Sequence, residues 1–327
     1  MLPAKSSARN SPSLESLSKR GWRNEKPLHV TTYAGELPLR LRICISAAIG
    51  VASAAFCHFL LLHFRQGAGD FGWAIHAAQR LLAGQNPYDT PLEQYPLTAA
   101  FFALPFVSLR PETAGALFYG ISSALLAFGL SRHGYHRLLA FLAYPYWAGL
   151  MMTQWSTLIF ASAFFPLLLP ATMAKPQLGL PVALTRLSRR GVIACVVVLL
   201  LTLIALPHWP QLWLGQLKNY EHFFPLLVLP GPLLALALWR YRDKDAWFLV
   251  LTAIMPQRWF FDAFILWLIP KSRREILFTA ALSWGTGIWR WYYIPHSFTD
   301  VGRVTVLFIY LPMLAVILLR QFLREES

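Results

Sequence analysis

The chain predicts an all-α polytopic membrane protein, and three observations carry that prediction. Hydrophobic residues make up 56% of its 327 residues and charged residues only 13%, against about 25% charged in a soluble domain. The apolar residues fall into repeated blocks, and the first, Ile43 to Phe64, holds no Asp, Glu, Lys or Arg. A run of that length crosses a hydrocarbon core of about 30 Å. Basic residues gather at the ends of the blocks (Arg186-Arg189-Arg190, Arg240-Arg242-Lys244, Lys271-Arg273-Arg274, Arg320-Arg324), which is the positive-inside pattern of cytoplasmic loops.

The elements follow in chain order. Residues 1–42 are rich in Ser, Lys, Arg and Pro and predict a basic, disordered cytoplasmic tail. They are too long and too polar for a cleaved signal peptide, so the first block reads as a retained helix. The formal net charge of +14 is explained by topology and by attraction to anionic lipid, and nucleic acid is excluded as a partner. Residues 43–320 form a single transmembrane domain, and 321–327 a second cytoplasmic tail.

Directly after the first block comes a polar, aromatic segment, 65–95, which alternation from a cytoplasmic N-terminus makes an external loop. Within it Trp73, Ile75, Ala77, Ala78, Leu81 and Leu82 mark an amphipathic helix lying on the membrane, with Asp70 before it as a candidate N-cap. "NPYD" (86–89) and "YP" (95–96) read as turns, and Asp89 and Glu93 as solvated loop acids. Further apolar blocks run to residue 320, giving roughly nine to twelve spanning or half-spanning segments. Several hold only about 12 to 16 residues and are interrupted by Pro105, Pro145, Pro166, Pro170, Pro176, Pro181 or Pro256. Broken helices of that kind survive in a membrane only where protein or a watery cavity satisfies the freed backbone groups. Alternation also sends "SRHGYHR" (131–137) outside, against the charge rule, so that either an earlier block is re-entrant or this loop is an exception. The external loops, including 205–225, 255–262 and 289–303, are crowded with Trp and Tyr, consistent with an interfacial belt or with a cleft at the membrane surface.

Few residues offer chemistry. Asp70 is either a helix cap or a general base held at the water–lipid boundary. Lys175, in "AKPQ" (174–177), is either a functional cation at membrane depth or a lysine snorkelling to the interface. Arg258 and Asp262 are four apart and read as a structural ion pair or as an anion-binding arginine with a neighbour. Gln154 interrupts an apolar region and its amide needs a partner. Tyr88 and Tyr95 serve as interfacial anchors or substrate contacts. Cys44, Cys57 and Cys195 lie inside apolar blocks without metal-ligand spacing. No pattern indicates a nucleotide-phosphate loop, a metal-ligand His set or a Ser-His-Asp order. No cofactor is therefore expected, a divalent metal being open but not indicated.

The stretch "DFGWAIHAAQRLLAGQNPY" (70–88), followed by "YP" and an apolar block, resembles the polyprenyl-phosphate-dependent glycosyltransferases of the GT-C superfamily, in particular glycosyltransferase family 87. "TQWSTLIF" (153–160), "AKPQLGLP" (174–181) and "MPQRWFFDAFILW" (255–267) are similar, in the same order, to that family's glutamine, lysine-proline and Ser-Pro-x-x-Trp elements. The likeness covers about residues 70–270. It implies a GT-C-like helical bundle whose first external loop lies over the active site. It also implies an integral enzyme of a bacterial inner membrane and cell envelope, with its active face external. That enzyme would move a hexose, mannose foremost, from a polyprenyl-phosphate donor to a lipid or glycan acceptor with inversion. By the same resemblance Asp70 is the catalytic base and Lys175, with Arg258, binds the donor phosphate. Tyr88, Tyr95, Gln154, Gln177 and Asp262 contact substrate. The chain departs from the family at Trp73-Ala74-Ile75-His76, at Thr153 and at the turn bearing Arg258, Phe260 and Phe261. Two other readings stay open: an inactive relative acting as an assembly partner, and a lipid or small-molecule transporter, against which stands the lack of an internal repeat.

Overall fold

The computed structural model describes residues 38–90 and 95–320; the predicted tails over 1–37 and 321–327, and Glu93, lie outside the described residues. The regular structure is helical, with an isolated antiparallel bridge between Phe223 and Gln257 and no strand among the described residues. In chain order the α-helices are α1 Leu39–His63, α2 Gly72–Leu82, α3 Thr98–Ala103, α4 Pro111–Leu130, α5 Tyr144–Met151, α6 Ser156–Ser162 and α7 Pro176–Thr185. After them come α8 Arg189–Ala205, α9 Trp209–Gln216, α10 Lys244–Ala253, α11 Arg273–Tyr292, α12 Phe298–Thr305 and α13 Leu311–Leu319.

Three helical stretches are long and apolar enough to cross a membrane: Leu39–His63, Pro111–His133 and Phe298–Leu319. A fourth results if α8 and α9, bent by 92°, count as one span. Most of the nine to twelve anticipated segments are therefore shorter than a bilayer crossing. Proline is the physical cause, since it removes a backbone donor and fixes φ. It opens α7, falls within the 3₁₀ run Pro166–Met173 as Pro170, and interrupts α7 as Pro181. The block predicted over 259–270 is a 3₁₀ helix, Phe260–Leu268, with every residue buried. At about 2.0 Å per residue it reaches further than α-helix of equal length.

The first helix starts at Leu39, one turn before the predicted Ile43, and so takes up Arg40 and Arg42. It packs antiparallel on α4 through matching Gly-x-x-x-Ala pairs, Gly50/Ala54 and Gly120/Ala124. A Cβ on Gly120 would lie 2.6 Å from the Ala54 Cβ and 2.8 Å from the Gly50 carbonyl oxygen. Only hydrogen fits, and the backbones approach as small residues allow in apolar surroundings, where dispersion and hydrogen bonds replace the hydrophobic effect. Polar contacts tie in α5: the Tyr146 hydroxyl lies 2.6 Å from Ser53 Oγ of α1 and 3.1 Å from Ser123 Oγ of α4.

This pairing settles where 131–137 lies. Arg42, at the start of α1, donates to the Phe128 carbonyl and to Ser131 Oγ. Arg137 donates to the Pro270 carbonyl, and the His136 ring meets the Lys271 carbonyl oxygen at 2.8 Å. The loop thus joins the same basic end as Arg42 and Lys271. The exception to the charge rule disappears because the block over 95–109 is not a span: it forms the six-residue α3 and a short 3₁₀ turn, Leu104–Phe106.

The helix predicted after the first span exists as α2, but protein covers most of its apolar face and leaves Leu82 exposed. Ala74, Ile75, Ala77 and Ala78 are all buried in the core. Asp70 is not its cap: the N-cap position is Phe71, with no side-chain capping bond.

Candidate active site

After α1 the chain reverses through Arg65, Gly67 and Gly69, all with φ between 53° and 59°. A Cβ on Gly69 would stand 2.7 Å from the Met152 carbonyl oxygen, so both conformation and space demand glycine. The reversal presses the chain onto the turn after α5, where the Asp70 amide donates to the Met152 carbonyl at 2.8 Å. The next residue anchors it. Phe71 is fully buried, stacked on Phe118 at 3.9 Å between centroids and tilted against Trp155 at 5.7 Å. So buried a ring is held by many dispersion contacts, and Trp155 does the same for its neighbour Gln154. Each polar group is thus fixed by the aromatic residue after it.

Around Asp70 the side chains form a connected network. The Tyr95 hydroxyl donates to Asp70 Oδ2. Burial, and then the Asp70 carboxylate, push that phenol well above its ordinary pKa, so Tyr95 stays protonated and remains a donor. Lys175 Nζ lies 3.9 Å from Asp70 Oδ2, donates to Gln154 Oε1 at 3.0 Å and pairs with Asp262 Oδ1 at 2.8 Å. Asp262 is 0% exposed, and its second oxygen accepts the Arg258 backbone N–H at 3.3 Å. The anticipated i,i+4 partnership is therefore replaced. The carboxylate of Asp262 holds Lys175 and accepts the Arg258 backbone amide, because Trp259 is extended and the 3₁₀ helix starts after it.

These groups surround one cavity of about 830 Å³, on whose wall lie Asp70, Tyr95, Gln154, Lys175, Gln177 and Arg258. Two of the anticipated substrate contacts stand off it. Asp262 sits behind Lys175, and the Tyr88 hydroxyl donates to the Tyr95 carbonyl at 3.0 Å, steadying the loop that brings Tyr95 in. Asp89 is an exposed loop acid, bonded by Asn86 and 3.9 Å from Arg80.

Several lining residues escaped the sequence reading. Gln177 donates to the Tyr220 hydroxyl at 3.1 Å, and the Arg258 guanidinium lies 5.6 Å from the ring centres of both Tyr220 and Phe298. His222 and Arg290 complete the polar wall, with Trp73, Trp213 and Trp259 among the aromatic lining. Tyr220, His222, Arg290 and Trp213 were signalled only by the aromatic crowding of 205–225 and 289–303, which an interfacial belt explains equally well, whereas Trp73 belonged to the predicted amphipathic helix and Trp259 to the 255–262 turn. Among the described residues the site brings Lys175, Arg258 and Arg290 together with the carboxylates of Asp70 and Asp262, the last of which holds Lys175. Its polar pole adjoins walls of Met151, Met152, Leu180, Leu217, Phe260 and Phe261. Such a cavity suits an amphiphile with an anionic head. Among the described residues no group of three His, Cys, Asp or Glu is placed to hold a metal ion. No protein-family model, curated protein or solved structure matches the chain.

Proposed function

We propose that the chain is a membrane-embedded inverting glycosyltransferase of GT-C type that draws its sugar from a polyprenyl-phosphate donor. One observation carries the reading: Asp70, held by Tyr95 and 3.9 Å from Lys175, lies on the wall of the same large cavity as Arg258 and Arg290. A carboxylate and cations on the wall of one amphipathic pocket support transfer from a lipid phosphodiester.

In this reading Asp70 accepts the proton of an acceptor hydroxyl, whose oxygen attacks the anomeric carbon. The bond from that carbon to the phosphate oxygen breaks, and the electron pair leaves with the lipid phosphate. The donor begins as a monoanion and the leaving lipid phosphate gains a second negative charge. Arg258 and Arg290 are the groups that oppose that charge as it develops, where electrostatic stabilisation contributes most. Lys175 takes a different part from the one the resemblance implies. Its charge is already engaged by Asp262, so it orients Asp70 rather than clasping phosphate. The apolar wall receives the polyprenyl chain.

The test offers purified full-length protein a polyprenyl-phosphate mannose and, separately, the matching nucleotide sugar. Transfer from the lipid donor alone is expected, and Arg258→Gln should raise the donor KM or lower kcat by about tenfold or more, as loss of one charge-assisted contact predicts. Transfer from the nucleotide sugar alone would overturn the donor assignment. Transfer from neither would move the reading to an inactive assembly partner.

A further inference from the structure

A second large cavity lies at the other end of the bundle, among the basic clusters that start and end the apolar segments. Its volume is about 900 Å³, and its lining includes Arg186, Arg240, Arg242, Lys244, Lys271 and Arg320 against Asp243 and Asp245. Nothing in the proposed glycosyl transfer uses it.

Two of the six cations are already engaged. Lys271 Nζ and Arg320 Nη1 approach Asp245 Oδ2 at 2.5 and 2.6 Å, and Arg320 also reaches Asp243 at 3.9 Å and Glu275 at 3.3 Å. The acids of the cavity are therefore spent on these two. Arg186, Arg240, Arg242 and Lys244 have no ion-pair partner among the described residues, and the Nη1 atom of Arg240 is buried without an acceptor. A buried donor left unmade is costly, and four uncompensated cations around one hollow repel one another. Both penalties are removed together by an anion with several acceptor oxygens.

We infer that this cavity binds a phosphate-bearing anion, and that the occupant is the headgroup of an anionic phospholipid. The rim decides between headgroup and free phosphate. Trp239 and Tyr241 are 76% and 58% exposed, and Leu187 and Leu238 beside the cavity are 59% and 39% exposed. Exposed Trp and Tyr next to apolar chain belong at the level of lipid headgroups, whereas a soluble anion has no use for an apolar rim. The lining draws on the end of α7, the segment 239–245, the loop before α11 and the end of α13, so one headgroup would tie together four parts of the chain far apart in sequence. A ligand held by the folded state stabilises that state.

The experiment uses the purified full-length protein in micelles. Thermal unfolding and native mass spectrometry are followed while phosphatidylglycerol, phosphatidylcholine or inorganic phosphate is added. Phosphatidylglycerol should bind and raise the unfolding temperature, and phosphatidylcholine should not. Removing one basic charge near a lipid surface is expected to weaken affinity about fivefold, so Arg186→Gln with Arg242→Gln should weaken phosphatidylglycerol binding about 30-fold. Both residues are exposed, so the double variant should fold. The matching pair Arg186→Lys with Arg242→Lys should retain binding, which separates charge from shape. Unchanged affinity in the Gln pair would overturn the site. An equal loss on Arg65→Gln with Arg110→Gln, two exposed charges outside both cavities, would reduce the effect to net charge and overturn it as well. Inorganic phosphate alone giving the full thermal shift would overturn the headgroup assignment.

Discussion

Replacing Lys175 by Met tests the buried network most directly. Lys175 is 5% exposed and Asp262 0%, and their 2.8 Å contact is reinforced by the Gln154 oxygen at 3.0 Å. Removing the ammonium leaves Asp262 with one backbone N–H and no cation, and breaking a buried pair by deleting one partner costs about 3–5 kcal/mol. Asp262→Asn should cost less, about 1–3 kcal/mol, because Lys175 keeps Gln154 and the Asp70 carboxylate at 3.9 Å. The double variant, Lys175→Met with Asp262→Asn, removes both charges, and the introduced asparagine can still accept from the Arg258 amide. It should therefore be more stable than Lys175→Met alone, with a coupling of about 3 kcal/mol between the two positions. Equilibrium unfolding of the four proteins in mixed micelles measures this. Additive costs, with coupling below about 0.5 kcal/mol, would refute the pairing and return Lys175 to an independent cavity cation. Activity adds a second readout: if Lys175 orients Asp70, the double variant regains stability without regaining transfer.

Asp70→Asn preserves size and can still accept from Tyr95, yet cannot take up a proton. Transfer should fall at least about 100-fold with the protein folded, and near-normal turnover would remove Asp70 from the chemistry. Gly120→Ala should destabilise by about 1–3 kcal/mol, since its Cβ meets Ala54 at 2.6 Å; an unchanged unfolding curve would show that the α1–α4 contact yields freely. Gln85→Cys, at an exposed site after α2 and in a background with Cys44 and Cys195 replaced, should react with an impermeant thiol reagent in intact cells. Labelling only after permeabilisation would invert the topology and the face on which transfer is proposed.

Much of the site was legible in the sequence because each polar residue interrupts an apolar run. Asp70, Gln154, Lys175 and Arg258 stand out against hydrophobic surroundings, where an ionisable or amide group needs a reason. The cavity collects them, with Tyr95 and Gln177. Asp262 and Tyr88 stood out in the same way, yet they back the wall rather than face the space. Arg290, Tyr220 and His222 were hidden in aromatic loops, where nothing local separates a residue facing a pocket from one facing lipid.

Composition and block length determined that the chain is helical and suited to a membrane, since a peptide in hydrocarbon must satisfy its backbone within the segment. Proline positions determined that several helices would be broken. Tertiary packing alone decided which blocks form helices long enough to cross a membrane and which fold back. The Gly50–Ala124 and Gly120–Ala54 contacts set α1 against α4 and so carry 131–137 back to the basic end, although the charge pattern on its own left that loop misplaced. Packing likewise decided that Lys175 answers to Asp262, 87 residues away, rather than to its own neighbours. Periodicity and spacing describe contacts within a turn or two of helix. Which buried charge finds which depends on where distant turns deliver them, and in a low-dielectric interior that pairing is compulsory.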